Sequence, residues 1–385
     1  MDFDLTDEQR MLRDSARKLM SQEVVPFLAG HPPDRPLPLD AVKSLLTRLI
    51  PLGYLGSIIP EQYGGAGLDY VTYGLLLEEI EPALFGLVMI TGGTARAVYL
   101  LGDEEQKNRF IPLLLSAERV GCSAITEPNV GSNPAFIQTK ATLHGSHYLL
   151  NGTKLWITNG SFADLAFVLA TTDPGKGSKG LCRFIVDKGV SPFGARAIPT
   201  LGDDAQIPAV GELVFEDCAV PRENLLGAEG KGLRDTLIGF QAARCFVAIG
   251  GLGLAKRAID AAVRYAKERT QFGRPIGQFQ LIQAMIADMI AETDAARLLT
   301  YRALSLVQKG VRCAKETSMA KFYATEAAVR VTSRAIQIHG AYGLSDEYPV
   351  ARFFRGARML TIPDGTTQIQ KLIVGREVLG MQAFG

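Results

Sequence analysis

Apolar positions recur at helical spacing through the first third of the chain, shift to short runs after Ser116, and return to helical spacing from Gly232 onward. Thr6 followed by Gln9 matches a capping box, and Met11, Leu12, Ala16, Leu19 and Met20 then share one face, which predicts a first helix. The four prolines between Gly30 and Pro38 predict a loop, after which a helical pattern resumes over 39–52. The segment Pro60-Glu61-Gln62-Tyr63-Gly64-Gly65-Ala66-Gly67 breaks the chain again, because glycines so closely spaced cannot hold a regular element. Helices are predicted over 70–81 and 87–101, and a further one from Asp103, whose side chain can cap it.

In the middle third, Tyr148-Leu149-Leu150 and the run 153–158 flank Asn151-Gly152, a pattern that predicts a hairpin with a type I′ turn. The runs 165–171, 182–186 and 212–215, separated by Gly, Pro and Asp, read as further short strands. Long helical patterns over 233–269, 278–309 and 314–339 predict a packed bundle. The expected fold class is therefore α+β, with a helical domain over 1–116, a small antiparallel β domain over 117–225 and a helical bundle over 226–385. No internal repeat or low-complexity segment is visible.

Composition changes this picture little. Within 385 residues, 41 Lys and Arg balance 40 Asp and Glu, so no global field points to nucleic acid or an anionic membrane. The start Met1-Asp2-Phe3-Asp4-Leu5 is acidic where a secretion signal is basic, and no apolar run reads as long enough to span a bilayer, so a cytoplasmic protein without a membrane partner is expected. Cys122, Cys182, Cys218, Cys245 and Cys313 are scattered and show no C-x-x-C spacing, which predicts reduced, mostly buried thiols and no zinc site. The four histidines do not cluster at metal-ligand spacing.

Candidate chemistry lies in five short segments. Thr361-Ile362-Pro363-Asp364-Gly365-Thr366-Thr367-Gln368-Ile369-Gln370 contains a Pro-Asp-Gly turn between two helical patterns, so Asp364 is either punctuation or a carboxylate held at a rigid junction. Ser123-Ala124-Ile125-Thr126-Glu127-Pro128-Asn129-Val130-Gly131-Ser132-Asn133 is rich in small residues and hydroxyls; it is an ordinary polar loop or a cradle for a planar heterocycle or a phosphate. Trp156-Ile157-Thr158-Asn159-Gly160 offers an indole that is either core or a cofactor wall. Arg269-Thr270-Gln271-Phe272-Gly273 joins two helices, where Arg269 is a pyrophosphate ligand or a cationic helix cap. Gln337-Ile338-His339-Gly340-Ala341-Tyr342-Gly343 alone reads as a helix C-cap.

Taken together and in this order, the Pro-Glu-Gln-Tyr-Gly-Gly, Ile-Thr-Glu-Pro, Trp-Ile-Thr-Asn-Gly, Arg-Thr-Gln-Phe-Gly and Gly-Thr-Thr-Gln-Ile-Gln segments resemble those of the acyl-CoA dehydrogenase family of flavoproteins, nearly end to end. The resemblance implies a helical domain, a β-barrel-like middle and a C-terminal four-helix bundle, assembled as a homotetramer of paired dimers. It implies FAD as cofactor, an acyl-CoA substrate and an electron-transfer flavoprotein as electron acceptor. Carried over by position, Ser123, Ile125, Thr126, Ser132, Trp156, Ile157 and Thr158 would line the flavin. Arg269, Phe272, Gln280, Gln337 and Gly340 would reach FAD on a neighbouring subunit, and Thr366 and Gln368 would add further contacts. Ser132, Gln241, Arg244 and Gly365 would meet the substrate, and Asp364 would be the base. In the implied reaction the base takes the α proton and flavin N5 the β hydride, and exclusion of water raises the carboxylate's pKa toward neutrality.

The sequence departs from the family pattern at the base itself. Asp364 stands where Glu is usual, and Ala243 occupies the alternative base position beside Arg244. The shorter side chain withdraws the carboxylate by about 1.5 Å, one C–C bond. Asp at this place resembles two minority branches, one acting on alicyclic acyl-CoA esters and one oxidising nitroalkanes; the surrounding residues resemble the CoA-ester branches, so a bulky or cyclic acyl group is expected. Asn133 for Asp, Ala341 for Gly and Pro363 for an aromatic are smaller departures. The competing readings are an enzyme acting on carrier-protein-tethered acyl groups, an oxidase, and a flavin-binding protein without catalysis.

Overall fold

The computed structural model describes residues 4–202 and 204–383; Met1-Asp2-Phe3, on which part of the reading of the N-terminus rests, lie outside the described residues. The architecture is α+β, and the chain divides after Gly239 into two compact units.

In the first unit, α1 (Asp7–Leu19) starts with a complete capping box: Gln9 N donates to Thr6 Oγ1 at 3.2 Å and Thr6 N to Gln9 Oε1 at 3.2 Å. A π-helical turn over Met20–Val24 leads into α2 (Val25–Ala29), and α3 (Leu39–Leu49) buries Val42, Leu45, Leu46 and Leu49. Asp69 caps α4 (Tyr70–Glu79), and Asp103 caps α6 (Glu104–Leu115) by accepting from Gln106 N at 2.8 Å. Between them, α5 (Pro82–Leu101) begins earlier than its apolar pattern suggests, because Pro82 fits the first helical turn, where its missing N–H costs nothing.

The β domain is one sheet in the order β6-β7-β3-β2-β4-β5-β8, with β1 pairing β4. Its strands are β1 (Gly121–Ala124), β2 (Lys140–His144), β3 (His147–Thr158), β4 (Leu165–Thr171), β5 (Leu181–Asp187), β6 (Gly194–Ala197), β7 (Val210–Pro221) and β8 (Leu225–Leu226). Pairing is antiparallel except where β4 takes β1 and the first residue of β2 in parallel. The core beneath it includes Leu150, Ile157, Phe184, Leu213 and Phe215.

The hairpin expected at Asn151-Gly152 is not there. These residues lie inside β3 at a register shift against β7, and Gly152 is required because a Cβ would meet Thr139 Oγ1 at 2.5 Å. The two-residue turn is Gly145-Ser146, joining β2 to β3 through the pair His144 and His147, with φ 62° at Gly145. Asn-Gly is a local turn signal, and pairing of both flanks with neighbouring strands overrides it.

α7 (Gly232–Glu268) crosses the division between the units. In the second unit it is followed by a two-stranded ribbon, β9 (Thr270–Gln271) and β10 (Arg274–Pro275), and by α8 (Gln280–Gln308), α9 (Ala314–His339), α10 (Val350–Leu360) and α11 (Thr367–Leu379). α9 packs on α8, α10 and α11. Its buried positions are mostly small, including Ala320, Ala324, Ala327, Ala328 and Ala335, which lets neighbouring backbones approach.

Two helices, Pro82–Leu101 and Gly232–Glu268, are long and apolar enough to cross a membrane by length and composition, which corrects the expectation that no run reaches that length. Half of the first apolar window and 67% of the second is buried within the protein, as in the core helices of folded domains. All five cysteines are buried free thiols; burial pushes Cys122 up to about 12 and Cys218 to about 11.

Candidate active site

The end of β1 and the loop that follows it form one group of candidate residues. Ser123 sits in β1 opposite Phe167, and Ile125 packs with the buried Val130, Ile137, Leu169 and Leu181. A buried ion pair holds this loop to β3: Lys154 Nζ donates to Glu127 Oε1 at 2.8 Å, to Ile125 O at 3.0 Å and to Leu169 O at 2.7 Å. Glu127 also accepts from Gln138 N at 2.7 Å and from Thr139 N at 2.8 Å. Burial lowers the Lys154 pKa to about 8. Burial opposes ionisation of Glu127 as well, but the charge of Lys154 and the hydrogen bonds outweigh it and leave the carboxyl below its ordinary value.

A bond from Leu155 N to Thr126 O, at 2.9 Å, sets the loop beside the end of β3. There Trp156 has φ 62° and is 55% exposed, so its indole is not core. Ile157 turns its side chain into the sheet core and leaves only its backbone for a ligand. Thr158 is half-buried at the strand end beside α5, and Asn159, at φ 67°, is fully buried. Asn159 Nδ2 donates to Gly121 O at 3.0 Å and Leu87 O at 3.2 Å, tying β3 to β1 and α5.

Ser132 is exposed beside Gly131, whose Cβ position is open space. Among the described residues, the hydroxyls of Ser123, Thr126, Ser132 and Thr158 form no hydrogen bond within the protein. An exposed indole on a fixed strand end, partly accessible hydroxyls and an open glycine loop fit a planar heterocycle with attached phosphates.

In the second unit, Asp364 lies in the turn between α10 and α11 with φ 54°, followed by Gly365 at φ 93°. Thr366 caps α11, its side chain accepting from Ile369 N at 3.3 Å, while Gln368 is exposed on the first turn. The turn is held from two sides. Gln370 Nε2 donates to Asp364 O at 2.9 Å and to Gly365 O at 3.0 Å, and Lys321 Nζ donates to Thr361 O and Gly365 O, each at 3.0 Å.

Arg244 on α7 is 7% exposed, and burial lowers its pKa while the charge of Asp364 opposes that shift. Gln241, a turn earlier, accepts from the Cys313 thiol at 3.6 Å. Asp364, Gly365 and Arg244 are thus brought together, with Lys321 as a fourth member that sequence reasoning missed. Its signal was a lysine at the interior spacing of Ser318, Ala324, Thr325 and Ala328, which are otherwise small or hydroxylated.

The same unit gathers a second group. Phe272 and Gly273, at φ 50° and 76°, form the turn between β9 and β10, and Phe272 is 93% exposed. Arg269 precedes this ribbon with its guanidinium 5.7 Å from the ring centre of Tyr342, in the turn that follows α9. Gln337 and Gly340 are exposed at the C-terminal end of α9, and Gln280 is exposed at the start of α8. Arg269 is therefore placed beside the 337–343 segment. Among the described residues, no cluster of three or more His, Cys, Asp or Glu is placed to hold a metal ion.

Comparison with known proteins assigns the class. The acyl-CoA dehydrogenase N-terminal, middle and C-terminal domains match residues 6–118, 122–218 and 230–379. An acyl-CoA dehydrogenase of Bacillus subtilis is 38% identical, over 98% of this chain and 99% of its own length. The butyryl-CoA dehydrogenase structure from Megasphaera elsdenii superposes with a TM-score of 0.92 at 36% identity, covering 98% of this chain and all of that one. A structure described as the electron transferring flavoprotein of Acidaminococcus fermentans contains a chain with TM-score 0.91 and 37% identity, covering 98% and 100% of the two chains. The chain belongs to the acyl-CoA dehydrogenase family; it is an oxidoreductase, and FAD is the family's cofactor.

Proposed function

We propose that the enzyme oxidises a bulky or alicyclic acyl-CoA ester to its α,β-unsaturated form, with Asp364 as the base that removes the α proton. The observation that carries this reading is the carboxylate's mounting. Asp364 is held in the left-handed region at φ 54°, next to a glycine at φ 93°, in a turn bonded by Gln370 and Lys321. A non-glycine residue kept in that region costs about 1–3 kcal/mol, which the surrounding bonds must offset. At the alternative base position the chain has Ala243, so no carboxylate competes there.

The positive charges of Arg244 and Lys321 attract the Asp364 carboxylate. The shorter side chain calls for an α carbon closer to the turn, which a ring or branch can supply. Thr126, Trp156, Thr158 and Ser132 would hold FAD in one subunit, with Ser123, Ile125, the Ile157 backbone, Thr366 and Gln368 adding contacts. Bound FAD supplies the acceptor for the β hydride. Arg269, Phe272, Gln280, Gln337 and Gly340 would reach the FAD of a neighbouring copy in a homotetramer, and an electron-transfer flavoprotein would take the electrons. Ser132, Gln241, Arg244 and Gly365 would meet the thioester side.

Anaerobic titration with straight-chain, branched and alicyclic acyl-CoA esters, followed by flavin absorbance, tests this. Bleaching by the alicyclic or branched class, slowed at least about 10²-fold in Asp364→Ala, is the expected result. Asp364→Glu should move preference toward straight chains. Unchanged selectivity in that variant removes the bulky-substrate reading, and no bleaching by any free ester despite bound FAD turns attention to carrier-tethered acyl groups.

A further inference from the structure

Lys321 is fully buried in α9, yet its ammonium donates to two backbone carbonyls rather than to a carboxylate. Both accepting carbonyls, Thr361 O and Gly365 O, belong to the turn that carries Asp364 and lie on either side of it. Neither needs an ammonium for its satisfaction: Thr361 O also accepts from Thr367 N at 3.2 Å, and Gly365 O from Gln370 Nε2 at 3.0 Å. A neutral side chain of similar length would pack there without the desolvation that a buried cation incurs. What the cation adds is charge beside the carboxylate.

We propose that Lys321 is a positioning residue for the base, anchoring the 361–365 turn through two carbonyls and setting the positive charge that the Asp364 carboxylate meets. This rests on Asp364 being the base. The charged groups around the turn come from α7, α9 and α10, namely Arg244, Lys321 with Glu326, and Arg358, while Arg376 of α11 acts on Arg244. Glu326 is engaged by Thr367 Oγ1 at 2.6 Å, and Arg358 by Thr361. Burial lowers the Lys321 pKa to about 8, with Asp364 and Glu326 opposing the shift, so the ammonium is largely retained at neutral pH.

The test compares the wild-type holoenzyme with Lys321→Met and Lys321→Arg, reading amide exchange over 361–367 and the pH profile of flavin reduction. Lys321→Met should bind FAD, exchange faster across the turn, reduce at least about tenfold more slowly, and move the acid limb of the profile to higher pH, because a lost cation leaves the carboxylate holding its proton longer. Lys321→Arg should keep the limb in place while losing rate, since the planar guanidinium cannot occupy the ammonium's two bonds. Wild-type exchange and an unmoved limb in Lys321→Met overturn the proposal. Should that variant not fold, Lys321→Arg with wild-type rate, limb and exchange overturns it equally. If no free ester bleaches the wild-type flavin, the acyl-CoA reading fails separately, and exchange over 361–367 still decides whether Lys321 anchors the turn.

Discussion

Residues with side chains held at positive φ concentrate where the chemistry was expected. Trp156, Asn159, Phe272 and Asp364 lie in three of the segments singled out from sequence, at φ 62°, 67°, 50° and 54°. Only surroundings that over-determine such residues keep them there. Asn159 shows how: its buried amide binds two elements besides its own. Gly365, next to Asp364, is constrained in turn, with φ 93° and a Cβ position 2.5 Å from Gln370 Nε2. Gly365→Ala should cost about 1–3 kcal/mol of stability in chemical denaturation and slow proton abstraction; a wild-type midpoint would show that the turn is not strained. The turn itself was legible from Pro-Asp-Gly. The groups that hold it were not, because Lys321 is distant in sequence and its partners are backbone carbonyls without a residue-type signature.

At the scale of elements, β3 carries the clearest failure and the clearest success of local reading. Its Asn-Gly pair has ideal turn chemistry, yet the strand runs straight through it with a bulge, because both flanks find partners on β2 and β7. Helix starts fared better: Thr6 and Asp103 cap as their side chains allow without help from the rest of the fold. The loop that follows β1 depends on a contact no local pattern announces, the Glu127–Lys154 pair. The Glu127 carboxyl lies below its ordinary 4.5, so its stabilising contribution is full above that pH and is lost as pH falls through the folded-state value. Thermal stability and FAD retention should both fall in that acid window. Lys154→Met, which leaves a buried carboxylate unpaired, should cost about 3–5 kcal/mol at neutral pH. A variant with unchanged melting and FAD content would show that the pair does not clamp the loop.

For the whole molecule, the helical, sheet and helical order was readable because each domain repeats its own period for a hundred residues or more, and long periodic stretches dominate local noise. Assembly is a different matter. Phe272 is 93% exposed at a tight turn, and Leu281 is 79% exposed near the start of α8. These side chains suit contact with another copy of the chain. In the proposed homotetramer with shared FAD sites, Phe272→Ala should lower both the sedimentation coefficient and the FAD content. A monodisperse wild-type-sized particle with full flavin would exclude that role.

The sequence by itself determined the class of protein, the order of its domains, the caps of its helices and the turn that bears Asp364, because these depend on residue type and short spacing. Tertiary structure alone decided that Asn151-Gly152 is strand, that Ile157 faces the core while Trp156 faces outward, and that Lys321 binds the turn bearing Asp364. Each of those outcomes is set by which distant backbone a residue meets, and strand pairing and helix packing settle that only when the whole chain has folded.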